Sequence, residues 1–356
     1  MTARRYARNA VSPCVDTVKH NDSFSYRPAV LKDCARLAEL FQTVYGTTTH
    51  PCQNPSYIRD SLISGLQIWY VVELDSILMG CGCIARRPWN QSWEICHGVV
   101  HPAARRTGVI SNLVKLSLDS HRPQAMELGF YVTRNIASHT LMLKLQPGVL
   151  VGHDGGPDTV DGIREYHLTA LLPQPVAGLR HIAPWYVRSP GVEMISRHLY
   201  QALGFEGKPG AYPTTCLSGP ASQNSHGQLL YAHDPLNRTL TLSGQTAGYL
   251  PQPRALADII GLLQQSPELQ YVCVQILADK LELLAGLLGL GFTITAYLPA
   301  WHLEDGARYD CIQLVLQTFS SRPRSHGFDD QVTFFDLAYA QLAKRLCGLR
   351  LAQAHA

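Results

Sequence analysis

The stretch Trp93-Glu94-Ile95-Cys96-His97-Gly98-Val99-Val100-His101-Pro102-Ala103-Ala104-Arg105-Arg106-Thr107-Gly108-Val109-Ile110 decides the fold. It reads as a strand over 93–100, a stop at His101-Pro102, a basic turn and the start of a helix. Apolar residues then recur at Val109, Ile110, Leu113, Val114 and Leu116, which is helical spacing. A turn of this kind gathers backbone N–H groups at a helix N-terminus, where they and the helix dipole favour a pyrophosphate. Gly108 lets the backbone approach phosphate oxygens, and Arg105 or Arg106 adds charge. One glycine among basic residues is equally an ordinary turn, so the neighbouring elements have to decide.

Upstream, the pattern predicts a strand at 24–28, a helix capped at Asp33 and running to Gly46, and a short helix opened by Asn54-Pro55. Strands at 67–73 and 77–85 form a hairpin. Downstream, a strand at 126–133 and a helix at 136–145 close the first unit. The Gly-, Pro- and Asp-rich stretch 147–178 reads as a connector with one strand at 166–171. The second half repeats the pattern loosely. A helix at 192–203 ends in Leu203-Gly204-Phe205, a hairpin spans 228–242, and a helix at 254–264 precedes a strand at 271–276. A helix at 279–288 then ends in Leu290-Gly291-Phe292 and leads into strands at 293–298 and 309–317. A single amphipathic helix over 329–353 finishes the chain.

The sequence is therefore α/β (α+β), a mixed twisted sheet flanked by helices. Its 356 residues suggest two domains. The expected division is a leader at 1–23, a first domain at 24–150, a connector at 151–178, a second domain at 179–320 and a helical tail at 321–356. With 46% apolar and 16% charged residues, the chain can bury a large core and is not disordered. A net charge of +3 is too small to argue for nucleic acid as the main partner, and no apolar run is long enough to span a membrane. The basic start (Arg4, Arg5, Arg8) has no apolar segment after it and is not a secretory signal. Ten cysteines without a C-x-x-C pair point to reduced, mostly buried thiols and a cytoplasmic location. The 15 histidines include no H-x-x-x-H pair with carboxylate support, so no metal is expected.

The element order, with Val100-x-Pro102 leading into Arg105-x-x-Gly108-x-Ile110, resembles the GNAT acyltransferase superfamily over residues 24–150. The second half, with its Leu-Gly-Phe elements and the strands around Ala296–Trp301, is similar to a degenerate second copy without an Arg-x-x-Gly turn. The resemblance implies tandem GNAT-like domains and one site for acetyl-CoA or another acyl-CoA, in the first copy. It implies acyl transfer to a small amine, with no nucleic-acid or membrane partner; a homo-oligomer or carrier-protein contact stays open. By this resemblance Gly98, Val99, Val100, Arg105, Arg106, Thr107, Gly108, Val109, Ile110 and Asn135 hold the acyl-CoA.

Two departures from the family pattern stand out. The last motif position is Ile110 rather than Gly or Ala. The tyrosine that would protonate the leaving thiolate falls at Met142, which leaves Tyr131, Ser138 and His139 as substitutes. Glu94 matches the general-base carboxylate of the fourth strand; an edge glutamate paired with Arg86 or Arg87 is the plain alternative. Strand parity puts Glu94, Cys96, Gly98 and Val100 on one face and His97 and Val99 on the other, and His97 can serve as base if the strand bulges there. Tyr45, Tyr57 and Trp89 are expected around the acceptor. Other readings keep the fold: transfer from a carrier-protein thioester, decarboxylation of a malonyl thioester, or a non-catalytic CoA-sensing or partner-binding protein.

Overall fold

The computed structural model describes residues 24–354 apart from 47, 49, 122–126, 161, 174–178 and 247. The basic leader, Cys14 and the start of the strand expected at 126 lie outside the described residues. The chain runs β1 (Ser25–Pro28), α1 (Cys34–Tyr45), α2 (Pro55–Ser64), β2 (Gln67–Leu74), β3 (Ile77–Arg87), β4 (Ser92–Val100) and α3 (Val109–Ser120). β5 (Leu128–Thr133), α4 (Ile136–Leu145), β6 (Val149–His153), a hairpin of β7 (Thr159–Val160) and β8 (Ile163–Arg164), and β9 (Leu168–Leu171) follow. The second half contains β10 (His181–Ala183), α5 (Glu193–Leu203), β11 (Lys208–Pro209), β12 (Asn224–His226), β13 (Leu229–Asp234) and β14 (Thr239–Gln245). It ends with α6 (Gln252–Gln265), β15 (Tyr271–Leu277), α7 (Leu281–Gly289), β16 (Thr293–Glu304), β17 (Ala307–Gln317) and α8 (Asp329–Ala354).

Local chemistry sets the boundaries. The Asn54 side chain accepts the Ser56 N–H at 2.9 Å, and Pro55 starts α2. Asp33 stands at the N-cap position of α1 but caps nothing. Its buried carboxylate instead takes the Arg27 guanidinium at 2.7 and 2.9 Å and the Val30 N–H at 2.9 Å. That guanidinium holds the Asp33 carboxyl below the usual range.

Among the described residues one sheet crosses the whole molecule, in the order β1-β2-β3-β4-β5-β9-β6-β16-β17-β15-β14-β13-β12, with β10 and β11 added beside β17. The stretch expected as a connector thus supplies two strands of this sheet. β9 and β6 are antiparallel neighbours, and β9 pairs with β5. Short strands flanked by glycines look like turns in sequence, which hid β6. α1 and α2 pack on one face against Trp69, Val71, Cys81 and Val99, whereas α3 covers the other face through Val109 and Leu113.

The two halves share a strand order. β3–β4–β5–β9–β6 in the first corresponds to β13–β14–β15–β17–β16 in the second, with β4–β5 and β14–β15 the parallel pairs. A helix follows the first strand of each parallel pair, and another follows the second. The halves meet where β6 and β16 pair antiparallel at Gly152 and Ala296. A Cβ on Gly152 would lie 2.2 Å from the Thr295 carbonyl oxygen, so only glycine fits this approach. Arg308, fully buried, crosses the junction and donates to the carbonyls of Asn90 (2.8 Å), Gln91 (2.7 Å) and Ala300 (3.1 Å). Trp301 is buried there against Trp89 and Phe130. No described helix is long and apolar enough to cross a membrane, and all nine described cysteines are free thiols.

Candidate functional site

β4 and β5 pair in register only from Ser92↔Leu128 to Ile95↔Tyr131, after which the ladder ends and β4 runs on to Val100. On the other side of β4, Cys83 pairs with Cys96 and Cys81 with Val99, so Gly82 faces both His97 and Gly98. This is a β-bulge, and His97 has a φ of 54°. The extra residue resets the parity expected from sequence. Val100 moves to the face of Ile95, and Val99 joins Cys96 on the α1–α2 face. His97, expected opposite Cys96, also turns to the α1–α2 side, stacked on Trp69 at 5.1 Å and edge-on to Phe41 at 6.3 Å.

The parting strands open a cleft of about 590 Å³. Glu94, Cys96, His97, Gly98, Ile110, Tyr131, Asn135 and Ser138 line it, together with Asp158 and His167 from the β6–β9 region and Asp234 from the second half. Beside it, Tyr45, His50, Arg134, Asp158 and Asn237 bound a recess of about 70 Å³. The basic turn borders a separate hollow of about 240 Å³ lined by Val100, Arg105, Arg106, Gly108, Val109 and Ile110. Gly108 is the N-cap of α3 at φ 83°, and the first intrahelical bond is Asn112 N–H to Gly108 O at 3.1 Å. The amides of 109–111 therefore precede the helical ladder.

Not every expected cofactor residue presents its side chain. Val99 and Val109 are core residues, and Thr107 donates to the Ala104 carbonyl at 2.7 Å. Ile110 borders both the cleft and the hollow, and its Cδ1 would sit 3.4 Å from a Cβ on Gly98. Asn135 caps α4, accepting the Ser138 N–H at 2.9 Å. Trp89 packs at the junction of the halves rather than around the cleft, and Tyr57 lies within α2, its hydroxyl accepting from Gln67 at 3.1 Å.

The candidate catalytic groups stand in defined environments. Glu94 is buried and ion-paired with Arg87, whose guanidinium lies 5.6 Å from the Phe130 ring centroid. Tyr131 is buried, with its hydroxyl 3.1 Å from His139 Nδ1; burial raises the phenol to about 12 and lowers His139. Burial opposes protonation of His97, but the neighbouring Cys96 and Cys52 thiols outweigh it and raise its pKa well above the ordinary value. A hydrogen bond from Cys83 pulls Cys96 down to about 6. Burial lowers His167 to about 3 and lifts Asp154, bonded to the Tyr271 hydroxyl, to about 6.

Sequence reasoning missed Arg134, Asp158, His167 and Asp234. Arg134 and Asp158 are ion-paired at 2.9 Å, and the turn carrying Asp234 is tied to β7 by a Thr159–Asn237 hydrogen bond of 2.8 Å. Nothing in local spacing announces this convergence of three chain segments. His50, Cys52 and His97 also converge, against the expectation of scattered histidines; His50-Pro51-Cys52 was the available signal.

The central parallel pair thus parts beside a helix N-terminus that carries a basic, glycine-containing turn. Residues 35–145 match the model of the Acetyltransferase (GNAT) family, and this part of the chain is an acyltransferase domain. No curated protein matches the chain in sequence at a significant level. Among solved structures, the chain resembles yncA of Salmonella typhimurium, solved with its cofactor acetyl-CoA, at 18% identity and a TM-score of 0.35, covering 42% of this chain and 92% of that one. It also resembles the Escherichia coli ribosomal-protein-S18-alanine N-acetyltransferase, at 13% identity and a TM-score of 0.34, covering 42% and 93%. A spermidine N-acetyltransferase SpeG chimera from Vibrio cholerae and hSSAT matches at 14% and 0.34, covering 42% and 94%.

Proposed function

We propose that this protein transfers an acyl group, acetyl in the simplest case, from CoA to a small amine by direct attack on the thioester. The observation that carries this reading is the β4 segment 96–100, released from β5 at the mouth of a cleft and leading into the Gly108 helix start. Backbone N–H groups of this segment are suited to orient the pantetheine arm and polarise the thioester carbonyl. The first amides of α3, with Arg105 and Arg106 beside them, suit the pyrophosphate. Ile110 stands between the two regions and walls the path of the arm.

The acceptor enters from the side of Asp158, which is paired with Arg134, and of Asp234, whose carboxylate favours an ammonium group. Glu94, oriented by Arg87, takes a proton from it directly or through water. The resulting amine attacks the thioester carbon, the C–S bond breaks, and Tyr131, backed by His139, gives its proton to the leaving thiolate. The second proton of the attacking nitrogen is released through water and restores the Tyr131 hydroxyl. His97 remains beside Cys52 and Trp69 as a wall of the acceptor side.

In this reading the second half is a degenerate copy of the first. Its parallel pair also parts, since β14 and β15 pair only from Thr239↔Tyr271 to Leu242↔Val274. The chain itself fills that gap: Leu217 bridges Ile276, Ser218 N–H bonds the Gln275 carbonyl at 2.9 Å, and Leu277 N–H bonds the Cys216 carbonyl at 3.0 Å. One acyl-CoA per chain follows, and calorimetry should give a stoichiometry of one. The buried free thiols suit the reducing conditions of a cytoplasm.

The test is release of free thiol from acetyl-CoA in the presence of a panel of amines. Glu94→Gln should lower turnover by about 10²–10⁴-fold and leave CoA affinity unchanged. Equal loss of both removes Glu94 as base. Thermal stabilisation by CoA with no turnover on any amine favours a CoA-sensing role instead.

A further inference from the structure

The nitrogen donors of His50 and His97 and the sulfur of Cys52 lie within 4.8 Å of one another. Cys52 Sγ is 3.6 Å from His97 Nδ1. A tetrahedral zinc ion with sulfur at about 2.3 Å and nitrogen at about 2.0–2.1 Å sets these two ligands about 3.6 Å apart. Cys52 has no solvent exposure. The rings are held by packing: His97 lies parallel to Trp69 at 5.1 Å, His50 stacks on Phe41 at 5.2 Å, and the two imidazoles meet edge to face at 5.7 Å.

In the arrangement without metal, His50 Nδ1 accepts the Cys52 amide at 3.2 Å and His97 Nδ1 meets the Cys52 sulfur at 3.6 Å. A cation accepts all three donors together. The set of two imidazoles and a thiolate is borderline-soft, which excludes the oxygen-seeking Mg²⁺ and Ca²⁺ and suits Zn²⁺. Three protein ligands leave one tetrahedral position, and His50 and His97 both line the acceptor cleft. Zinc sites with three protein ligands and an open fourth position take a water or a substrate atom there.

We infer that His50, Cys52 and His97 form a binding site for one Zn²⁺ ion, open to the acceptor cleft at its fourth position. Binding replaces the Cys52 S–H bond with a Zn–S bond and releases that proton to solvent. It also competes with the 3.2 Å bond that His50 Nδ1 accepts from the Cys52 amide. The inference does not depend on the acyl-transfer reading, because its readout is the metal alone.

The experiment is titration of the metal-stripped full chain with Co²⁺, then with Zn²⁺ against a chromophoric chelator. One equivalent of Co²⁺ should give the thiolate-to-cobalt charge-transfer band and the strong visible bands of a tetrahedral site, and Zn²⁺ should abolish both. Cys52→Ser should remove the charge-transfer band and weaken Zn²⁺ binding at least 100-fold. His50→Gln, at a partly exposed position, should weaken it 10–100-fold with an unchanged circular dichroism spectrum. No thiolate band in the wild-type chain overturns the assignment, as does Zn²⁺ binding that His50→Gln leaves unchanged.

Discussion

A phenol is protonated at neutral pH, and burial raises the Tyr131 phenol further, to about 12. It can therefore donate to a thiolate but does not act as a base. Tyr131→Phe keeps the ring that packs under Gly148 and removes only the hydroxyl. Turnover should fall about 100-fold with no change in CoA affinity, as read by single-turnover kinetics. His167 shows the converse effect of burial. Its pKa is near 3 in the folded chain and about 6.5 once unfolded. Above pH 6.5 both states are neutral and the residue contributes nothing to pH dependence. Below 6.5 the unfolded chain takes a proton that the folded chain refuses, so stability falls by about 1.4 kcal/mol per pH unit down to about pH 3. Urea unfolding of His167→Gln should therefore show a drop between pH 6.5 and 5 that is smaller than wild type by about 2 kcal/mol.

At the scale of elements, α3 depends on one backbone conformation. Gly108 sits at φ 83° with open space around it, so a side chain there costs conformation rather than volume. Gly108→Ala should cost about 1–2 kcal/mol in thermal or urea unfolding and raise KM for acyl-CoA several-fold more than it lowers kcat. The strand–turn–helix unit carrying Gly108 was readable from residues 93–116, because a proline stop, a glycine and helical spacing all fall within one short window. The bulge at His97 was not. Alternation predicts where a strand runs, but the register slip opposite Gly82 arises from pairing with β3. β6 escaped for a related reason: Gly148 and Gly152 read as turn residues, yet they admit the Tyr131 ring and the β16 backbone. The cleft itself draws on residues from 41 to 234, and sequence spacing carries no information about such distant neighbours.

Across the whole molecule, the two halves are joined through backbone as well as side chains. A Cβ at Gly152 has no room against Thr295 and Ala296, so Gly152→Ala should destabilise the chain by about 1–3 kcal/mol. Differential scanning calorimetry should show both halves losing stability together. Two independent transitions, with only the first shifted, would contradict a single cooperative sheet. The strand order that the two halves share was partly visible in the alternation of strand and helix signals along the second half. The filling of the second opening by residues 216–218 was not, since no local pattern says where a loop will dock.

Along its main run of strands this sheet ends in two small margins: β1 with four residues, its Arg27 drawn to Asp33 and Glu73, and β12 with three polar residues, Asn-Ser-His. A template for strand addition needs a long, flat, apolar margin, and neither end offers one. Among the described residues, the width of this sheet therefore does not come with a strand margin suited to fibrous growth.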